Sequence, residues 1–179
     1  KIERGKEEFD VVCPSEYIIE RMLKNDLLLP INKDFGNTPN YLNNVSPFIH
    51  DIFDKIDGSG KNANDYAVGY MWGTTGLLYN TKYVTAEQAS SWSVLHNELF
   101  HKKIFIKDAF RDVYGPILVY LKRDAIDRGE VTMDEVMYDS SDESIALVER
   151  YLNHMKELDL VAGWEADFGK EMMTQEKAW

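Results

Sequence analysis

The chain alternates between short apolar runs and stretches whose apolar residues recur at helical spacing. Residues 9–13 (FDVVC) form a compact run with adjacent valines, which is typical of a strand in a buried parallel sheet. The next stretch predicts a helix capped by Ser15, with an apolar face made of Ile18, Ile19, Met22, Leu23 and Leu27. Ser46 and Pro47 are residue types that begin helices, and they predict a second amphipathic helix that extends to Ile56.

Three further apolar segments predict strands. Residues 70–80 (YMWGTTGLLYN) predict a strand, a turn and a second strand, whereas residues 102–106 (KKIFI) and 160–164 (LVAGW) predict single strands. The glycines at the break in the first segment leave three interpretations open, namely a bulged strand, a phosphate-binding loop and a crossing point between two lobes. Because these strands alternate with helical stretches, the pattern indicates an α/β layered architecture.

The helices of the second half are marked by their start signals. One is predicted from about Asp112 to Arg128, and Pro116 is compatible with it only within the first turn. Residues 132–135 and 140–143 both have the spacing of a capping box. The second of these precedes a long helix whose predicted apolar stripe is Ile145, Val148, Tyr151, Leu152, Met155 and Leu158. A last helix is predicted near the end of the chain, at Lys170 to Lys177.

The composition narrows the function classes. The 179 residues are 44% apolar and 12% aromatic, which is typical of a folded chain. The formal net charge is −11, so we expect no nucleic-acid partner, because binding to phosphates requires a basic surface. An acidic protein instead attracts cations over a longer range.

Motifs for metals, cofactors and covalent catalysis do not stand out. Cys13 is the only cysteine, and it follows an apolar run, which favours a small buried residue. His96 and His101 are five positions apart, whereas the zinc-protease pattern requires four. Neither residues 73–76 (GTTG) nor residues 58–65 (GSGKNAND) have the spacing of a phosphate-binding loop. We therefore expect no metal, no cofactor and no catalytic residue.

Polar side chains lie where predicted strands give way to predicted helices. Ser15 and Tyr17 follow the first strand, and Asp112 follows the strand at 102–106. Ligands of open α/β sheets gather at the carboxyl ends of strands. An acidic residue in a first helical turn also interacts favourably with the helix dipole. Ligand binding and simple capping or solvation are therefore both compatible with these positions.

Four segments taken together resemble the polyamine (spermidine/putrescine) substrate-binding proteins of bacterial ABC importers. They are residues 9–28 (FDVVCPSEYIIERMLKNDLL), 70–84 (YMWGTTGLLYNTKYV), 90–115 (SSWSVLHNELFHKKIFIKDAFRDVYG) and 160–173 (LVAGWEADFGKEMM). They occur in the order of the family and at about its spacing. The resemblance implies the type II fold of periplasmic binding proteins, in which layered sheets with flanking helices form two lobes that close on a ligand. It places residues 1–68 in part of the first lobe and residues 69–179 in most of the second, with the chain ending before the return crossover.

The resemblance also assigns residues. Ser15 and Tyr17 match the ligand-facing Ser-x-Tyr of the first lobe, and Asp112 matches an acidic partner of the ligand amine in the second. Asp108 lies nearby and is a weaker candidate. Ala109 occupies a position at which some members of the family carry a further aspartate, so the resemblance leaves the identity of the polyamine open.

The resemblance also assigns residues to the crossing between the lobes. It implies that Tyr70, Trp72, Gly73 and Gly76 belong to the hinge, with the two glycines supplying backbone freedom for a bend or a close approach. We expect Trp72 to pack within this hinge rather than to contact the ligand.

As a whole, the resemblance implies a protein that is exported and is not an enzyme. It would bind spermidine or putrescine in the periplasm or at the extracellular face of the cell membrane, and deliver it to the membrane permease of an ABC importer. Any membrane association would depend on a lipid anchor, as in a lipoprotein, outside these residues. Two alternatives remain open, namely another small cationic ligand or metal complex on the same fold, and an α/β enzyme that uses Asp112.

Overall fold

A computed structural model describes residues 8–32, 44–165 and 167–179 and divides the chain into two compact units. The first unit is Lys1–Gly73 and the second is Thr74–Trp179. The boundary lies inside the segment 70–80, which the resemblance assigns to the crossing between the lobes. That these two units correspond to the two lobes of a binding protein remains a prediction. No helix in the described ranges combines the length and apolar character needed to cross a bilayer.

The described part of the first unit is helical. Helix α1 spans Glu16–Lys24 and helix α2 spans Pro47–Asp54, followed by a 3₁₀ turn at Ala63–Asp65. Pro47 occupies the first turn of α2, as its sequence predicts, because a proline there lacks only an N–H that would have no partner within the helix. The two helices and the turn bury a small common core that consists of Ile19, Leu23, Phe53 and Ala63.

None of the three strands predicted in the first unit and at the junction is formed. Residues 9–13 and 70–80 have no strand assignment, and the side chain of Val11 is 86% exposed. Cys13 is exposed as well, which contradicts the prediction that it is a buried core residue. A strand needs a neighbouring strand to satisfy its backbone N–H and C=O groups. No such neighbour pairs with either segment within the described residues.

The second unit is built from 3₁₀ turns, a small sheet and five helices within its described residues. Three 3₁₀ turns come first, at Gln88–Ser90, Trp92–His96 and Glu98–Phe100. The subsequent strands and helices are β1 (Ile104–Lys107), α3 (Phe110–Leu121), α4 (Arg123–Asp127), α5 (Met133–Tyr138), α6 (Asp142–Glu157), β2 (Val161–Glu165) and α7 (Gly169–Thr174). The fold is therefore a mixture of helices and a parallel sheet.

The sheet confirms two predicted strands. β1 and β2 pair in parallel, with Ile104 opposite Val161 and Phe105 opposite Gly163, and the register shifts between the first and second pair. A side chain at position 163 would have its Cβ 3.1 Å from a ring carbon of Phe105, so glycine allows this ring to pack across the strand pair. The two strands form the whole sheet of the described residues. The type II layering remains a prediction.

Helix α3 differs from its predicted form at both ends. It begins at Phe110, two residues before the predicted start, and its C-cap is Lys122, after which a separate short helix follows. Pro116 therefore lies in the helix interior and not in the first turn, contrary to the prediction. Because proline has no N–H, the carbonyl oxygen of Asp112 cannot receive the helical hydrogen bond from position 116.

The helix start signals of the second unit are largely correct. Thr132 and Glu135 form a capping box in which each side chain accepts a hydrogen bond from the backbone N–H of the other residue. The cap of α6 is Ser141 rather than the predicted Ser140, and its hydroxyl oxygen accepts from the N–H of Ser144. Burial of α6 also follows the predicted stripe at Val148, Tyr151 and Met155, but Ile145 is 43% exposed.

A partly buried polar cluster joins α3, α5 and α6. The Lys122 ammonium lies 2.8 Å from both Asp139 Oδ2 and Ser144 Oγ, and the Ser144 hydroxyl donates to the same carboxylate at 2.5 Å. The backbone N–H of Ser141 donates to the other carboxylate oxygen, and the hydroxyl of Tyr114 donates to the Asp139 carbonyl. The hydrogen bonds to the carboxylate from Lys122, Ser144 and Ser141, in that order of effect, hold the pKa of Asp139 well below its usual range.

We expect Asp139→Asn to destabilise the second unit at pH 7, with a penalty that shrinks as the pH falls below about 4. A carboxylate whose folded pKa lies below its unfolded pKa contributes stability above the unfolded value, and the contribution is lost as the pH falls towards the folded value. Urea denaturation at pH 7, 5, 4 and 3 measures this trend. Asp134→Asn removes the same charge from an exposed position, and an equal loss in both variants at pH 7 would contradict the role given to the cluster.

Candidate ligand-binding site

Acidic and aromatic side chains collect where the two parallel strands end. β1 ends at Lys107 and is followed by Asp108, and β2 ends at Glu165. Asp112 lies in the first turn of α3, which begins three residues after β1. Parallel strands present their carboxyl ends at one edge of a sheet, which is the usual position of a ligand site in α/β proteins. The two acidic residues that the sequence nominates in the second unit therefore lie at the same edge.

Two cavities border the end of β1, and Asp112 lines the larger of them, which has a volume of about 400 Å³. The wall is largely apolar and includes five aromatic residues, namely Tyr79, Trp92, Phe100, Phe105 and Trp179. The carboxylate of Asp112 contacts the ammonium of Lys107. Since Lys107 lines the same cavity, the cavity contains the cation that already pairs with this carboxylate.

Two further charged residues line this cavity. Lys103 and Glu165 complete a set of two cations and two carboxylates around it. The side-chain oxygen of Glu165 accepts hydrogen bonds of 2.7 Å from the backbone N–H groups of Asp167 and Phe168. Because the charges around the cavity balance, it has no excess negative charge with which to attract a cation.

Trp179 is fixed at the end of this cavity. Its ring stacks on that of Tyr83 with the centroids 4.6 Å apart, and the Lys103 ammonium lies 4.8 Å from the ring centroid. The backbone N–H of Trp179 donates to the carbonyl of Lys103 at 3.2 Å. Glu176 pairs with Lys82, and the hydrogen bond from that ammonium lowers the pKa of the glutamate. The aromatic wall is thus held by several independent contacts.

Asp108 lines the smaller cavity, which has a volume of about 240 Å³. Its aromatic lining consists of Phe110, Tyr114 and Trp164, of which Phe110 is 71% exposed and Trp164 is 52% exposed. Phe110 stacks on Tyr114 with the ring centroids 5.2 Å apart. Asp108 is exposed, and among the described residues its carboxylate takes part in no ion pair and no side-chain hydrogen bond.

Phe110 and Trp164 were not nominated from the sequence. Each lies close to a strand end. Phe110 is three residues after Lys107, the last residue of β1, and Trp164 is next to last in β2. The rule that ligands gather at strand ends could therefore have found both, had it been applied to aromatic as well as polar side chains.

Ser15 and Tyr17 lie at the start of α1 in the first unit. Ser15 is the N-cap residue, but its side chain makes no capping hydrogen bond, so the simple capping role considered from the sequence is absent. Its side chain is exposed, and Tyr17 is 38% exposed. Both groups are accessible to a ligand, and their role in binding stays a prediction.

The four residues predicted for the hinge lie next to the boundary between the units. Tyr70 is 78% exposed and Trp72 is 68% exposed, and the Trp72 ring meets the Phe48 ring edge-on with the centroids 5.8 Å apart. Gly73 and Gly76 have no left-handed φ, and a Cβ at either position would have no atom within 4 Å. Nothing in the described conformation requires glycine at these two positions, and the assignment of all four residues to a hinge stays a prediction.

Neither of the two cavities is lined by a histidine. In the parts of the chain that the structure describes, no three His, Cys, Asp or Glu side chains are grouped to hold a metal ion. His96 packs edge-on against the ring of Tyr151 with the centroids 4.1 Å apart, away from both cavities. Burial lowers the pKa of His96, which disfavours its charged form.

Comparison with known families decides the class of protein. Residues 8–161 match the family described as "Bacterial extracellular solute-binding protein". The chain belongs to this family. The match extends over both units and ends at Val161, the first residue of β2. It therefore covers Ser15, Tyr17, Asp108 and Asp112.

Several relatives of the chain are named for polyamines. The chain is 32% identical over 134 residues to the putrescine-binding periplasmic protein PotF of Escherichia coli, a match that covers 69% of this chain and 34% of the relative. It is 27% identical over 123 residues to the spermidine/putrescine-binding periplasmic protein 1 of Haemophilus influenzae, covering 65% and 30%.

A third relative, the spermidine/putrescine-binding periplasmic protein of Salmonella typhimurium, is 26% identical over 106 residues, covering 59% of this chain and 28% of the relative. The matches thus cover about a third of the length of these relatives. No solved structure matches the chain significantly.

Proposed function

We propose that this solute-binding chain binds a polyamine, spermidine or putrescine, outside the cytoplasm and serves an ABC importer. The observation that carries the proposal is the family match over residues 8–161, together with relatives whose names specify spermidine or putrescine and the periplasm. The family consists of solute-binding proteins, and we accordingly assign the chain a role in binding rather than in catalysis.

The chemistry of the strand-end region suits such a ligand. A polyamine is a flexible chain that carries an ammonium group every few methylenes, so its site requires carboxylates for the charges and apolar or aromatic walls for the methylenes. Hydrogen bonds between ammonium and carboxylate are charge-assisted and about twice as strong as neutral ones. Aromatic faces attract ammonium groups by about 0.5–2 kcal/mol each. Asp108, Asp112, Phe110 and Trp164 supply these groups at one edge of the sheet.

The proposed action follows the general behaviour of two-lobed binding proteins. Ser15 and Tyr17 in the first unit, and Asp108 and Asp112 in the second, are the residues that we assign to ligand contact. Closure around the ligand at residues 70–76 would then present the loaded form to the membrane permease. The net charge of −11 assists capture of a cation by long-range attraction.

We expect the native-length protein to bind spermidine or putrescine, and not the uncharged diol 1,4-butanediol. A ligand at 100 times its Kd stabilises the folded state by about 2.7 kcal/mol. For a domain of 150–250 residues this raises the Tm by about 5–10 °C. Thermal unfolding with each compound, followed by calorimetric titration, measures the effect. Absence of both a thermal shift and binding heat with the two polyamines would refute the ligand assignment.

A different small organic cation on the same fold is the second candidate. Ala109 favours it, because this residue contributes no carboxylate between Asp108 and Phe110 and thereby reduces the negative charge at the smaller cavity. A panel of organic cations of increasing length and charge, tested by the same thermal assay, separates this candidate from the polyamines. A larger shift with a monovalent cation than with spermidine or putrescine would favour it.

A further inference from the structure

The 3₁₀ turn Trp92–His96 is fastened to helix α6 at both of its ends by one residue, Tyr151. The hydroxyl of Tyr151 donates to the carbonyl of Trp92 at 3.3 Å, and the backbone carbonyl of Tyr151 accepts from Nε2 of His96 at 3.4 Å. A carbonyl can only accept, so this hydrogen bond assigns the hydrogen of the neutral imidazole to Nε2. Tyr151 is itself buried in the core and provides a fixed anchor for the turn.

The turn is also part of the wall of the larger cavity. Trp92, Val94 and Leu95 line this cavity, whereas His96 contacts α6. A 3₁₀ turn has poor hydrogen-bond geometry and little stability of its own, so its position depends on contacts to the rest of the fold. Loosening the contacts to α6 would therefore change the wall of the cavity.

The surroundings of His96 disfavour a positive charge on its ring. The ring is part-buried, and the ring of His154 lies 5.2 Å from it, centroid to centroid. The carboxylate of Glu157 lies 3.6 Å from Nδ1 of His154, and no carboxylate pairs with His96 itself among the described residues. The remaining titratable neighbours are Tyr151 and, on α3, Tyr120, whose ring lies 6.0 Å from that of Tyr151. A proton taken up by His96 would thus add a charge beside a second histidine.

Protonation of His96 therefore opposes attachment of the turn. Burial lowers the pKa of His96 and the nearby His154 lowers it further, whereas the hydrogen bond to the Tyr151 carbonyl opposes the shift in part. A histidine whose folded pKa lies below its unfolded pKa contributes stability above the unfolded value of about 6.5, and this contribution is lost as the pH falls from there towards the folded value. Burial raises the pKa of Tyr151, so its hydroxyl stays a donor throughout this window.

We propose that the turn Trp92–His96 is a pH-sensitive latch, which is closed on α6 at neutral pH and loosens as His96 takes up a proton between about pH 7 and pH 5. His96 is the titrating group and Tyr151 is the anchor. Loosening releases Trp92 from its place in the wall of the larger cavity. The inference concerns the chain without ligand and holds for whichever solute the protein binds.

Hydrogen exchange of the native-length protein without ligand tests the latch. Protection factors of peptides that cover residues 91–97, corrected for the intrinsic pH dependence of exchange, are expected to fall about threefold or more between pH 7.5 and pH 5 in the wild type. His96→Gln keeps an N–H donor for the Tyr151 carbonyl but cannot take up a proton, so its protection factors are expected to stay constant. His101→Gln removes an exposed histidine of the same unit that pairs with Asp159, and is the matched control.

The profiles of the variants decide the inference. A fall in the wild type and in His101→Gln that is absent in His96→Gln supports the latch. A wild-type profile that does not change with pH, or an equal fall in His96→Gln, would overturn it. If His96→Gln lost protection already at pH 7.5, His96→Phe, which keeps a ring against Tyr151, replaces it with the same two outcomes. Because no ligand is present, none of these results bears on the proposed function.

Discussion

Leu118→Ala is expected to destabilise the second unit by about 3–5 kcal/mol, the largest effect that we predict for a single side chain. Leu118 is fully buried in the core cluster that helix α3 shares with β1, α5 and α6. Truncation there removes apolar contacts and leaves a cavity, because closely packed neighbours relax only in part. Urea denaturation followed by circular dichroism measures the loss as a lower midpoint with little change in slope.

Leu99→Ala is the matched control for this prediction. It makes the same chemical change in the same unit, but at a side chain that is 72% exposed, so we expect a loss within about 0.5 kcal/mol. Leu118→Met keeps most of the volume and is expected to cost less than about 1.5 kcal/mol. Equal losses in Leu118→Ala and Leu99→Ala would show that α3 does not pack in the core as described.

The elements predicted correctly are those whose sequence signal is local and whose partner lies in the same unit. The strands predicted at 102–106 and 160–164 pair with each other, and the capping box at 132–135 is complete within four residues. The segments 9–13 and 70–80 have equally apolar patterns but no strand partner among the described residues. An apolar run indicates that a segment suits a strand, but pairing depends on another segment that local sequence does not specify.

The candidate site was predictable in position but not in detail. Asp108 and Asp112 could be nominated because strand ends and first helical turns can be located from sequence. The pairing of the Asp112 carboxylate with Lys107 could not be predicted, because it depends on the direction of the Lys107 side chain. The lining of the smaller cavity likewise brings together Phe110 and Trp164, which lie 54 positions apart in the chain and come to one edge of the sheet through the parallel pairing of β1 and β2.

Gly58→Ala is expected to destabilise the first unit by about 2 kcal/mol or more, through overpacking and not through cavity formation. A Cβ at this buried position would lie 2.1 Å from the carbonyl oxygen of Lys61 and 3.2 Å from Leu23 Cδ1. The oxygen belongs to the backbone, so the clash cannot be relieved by a change of rotamer. Urea denaturation with a probe in the first unit, such as Trp72 fluorescence, measures the loss.

The surroundings of Gly58 explain why the turn cannot simply move. The Lys61 ammonium donates to the carbonyl of Leu23 at 2.9 Å and pairs with Asp26 at 2.8 Å, which ties the turn to the end of α1. Displacing the Lys61 backbone would therefore strain or break contacts to the core helix. Gly73→Ala is the control, because its added Cβ meets no atom within 4 Å and its φ is not left-handed, so we expect a change within about 0.5 kcal/mol. If Gly58→Ala were as well tolerated as Gly73→Ala, the described packing of residues 58–61 against α1 would be wrong.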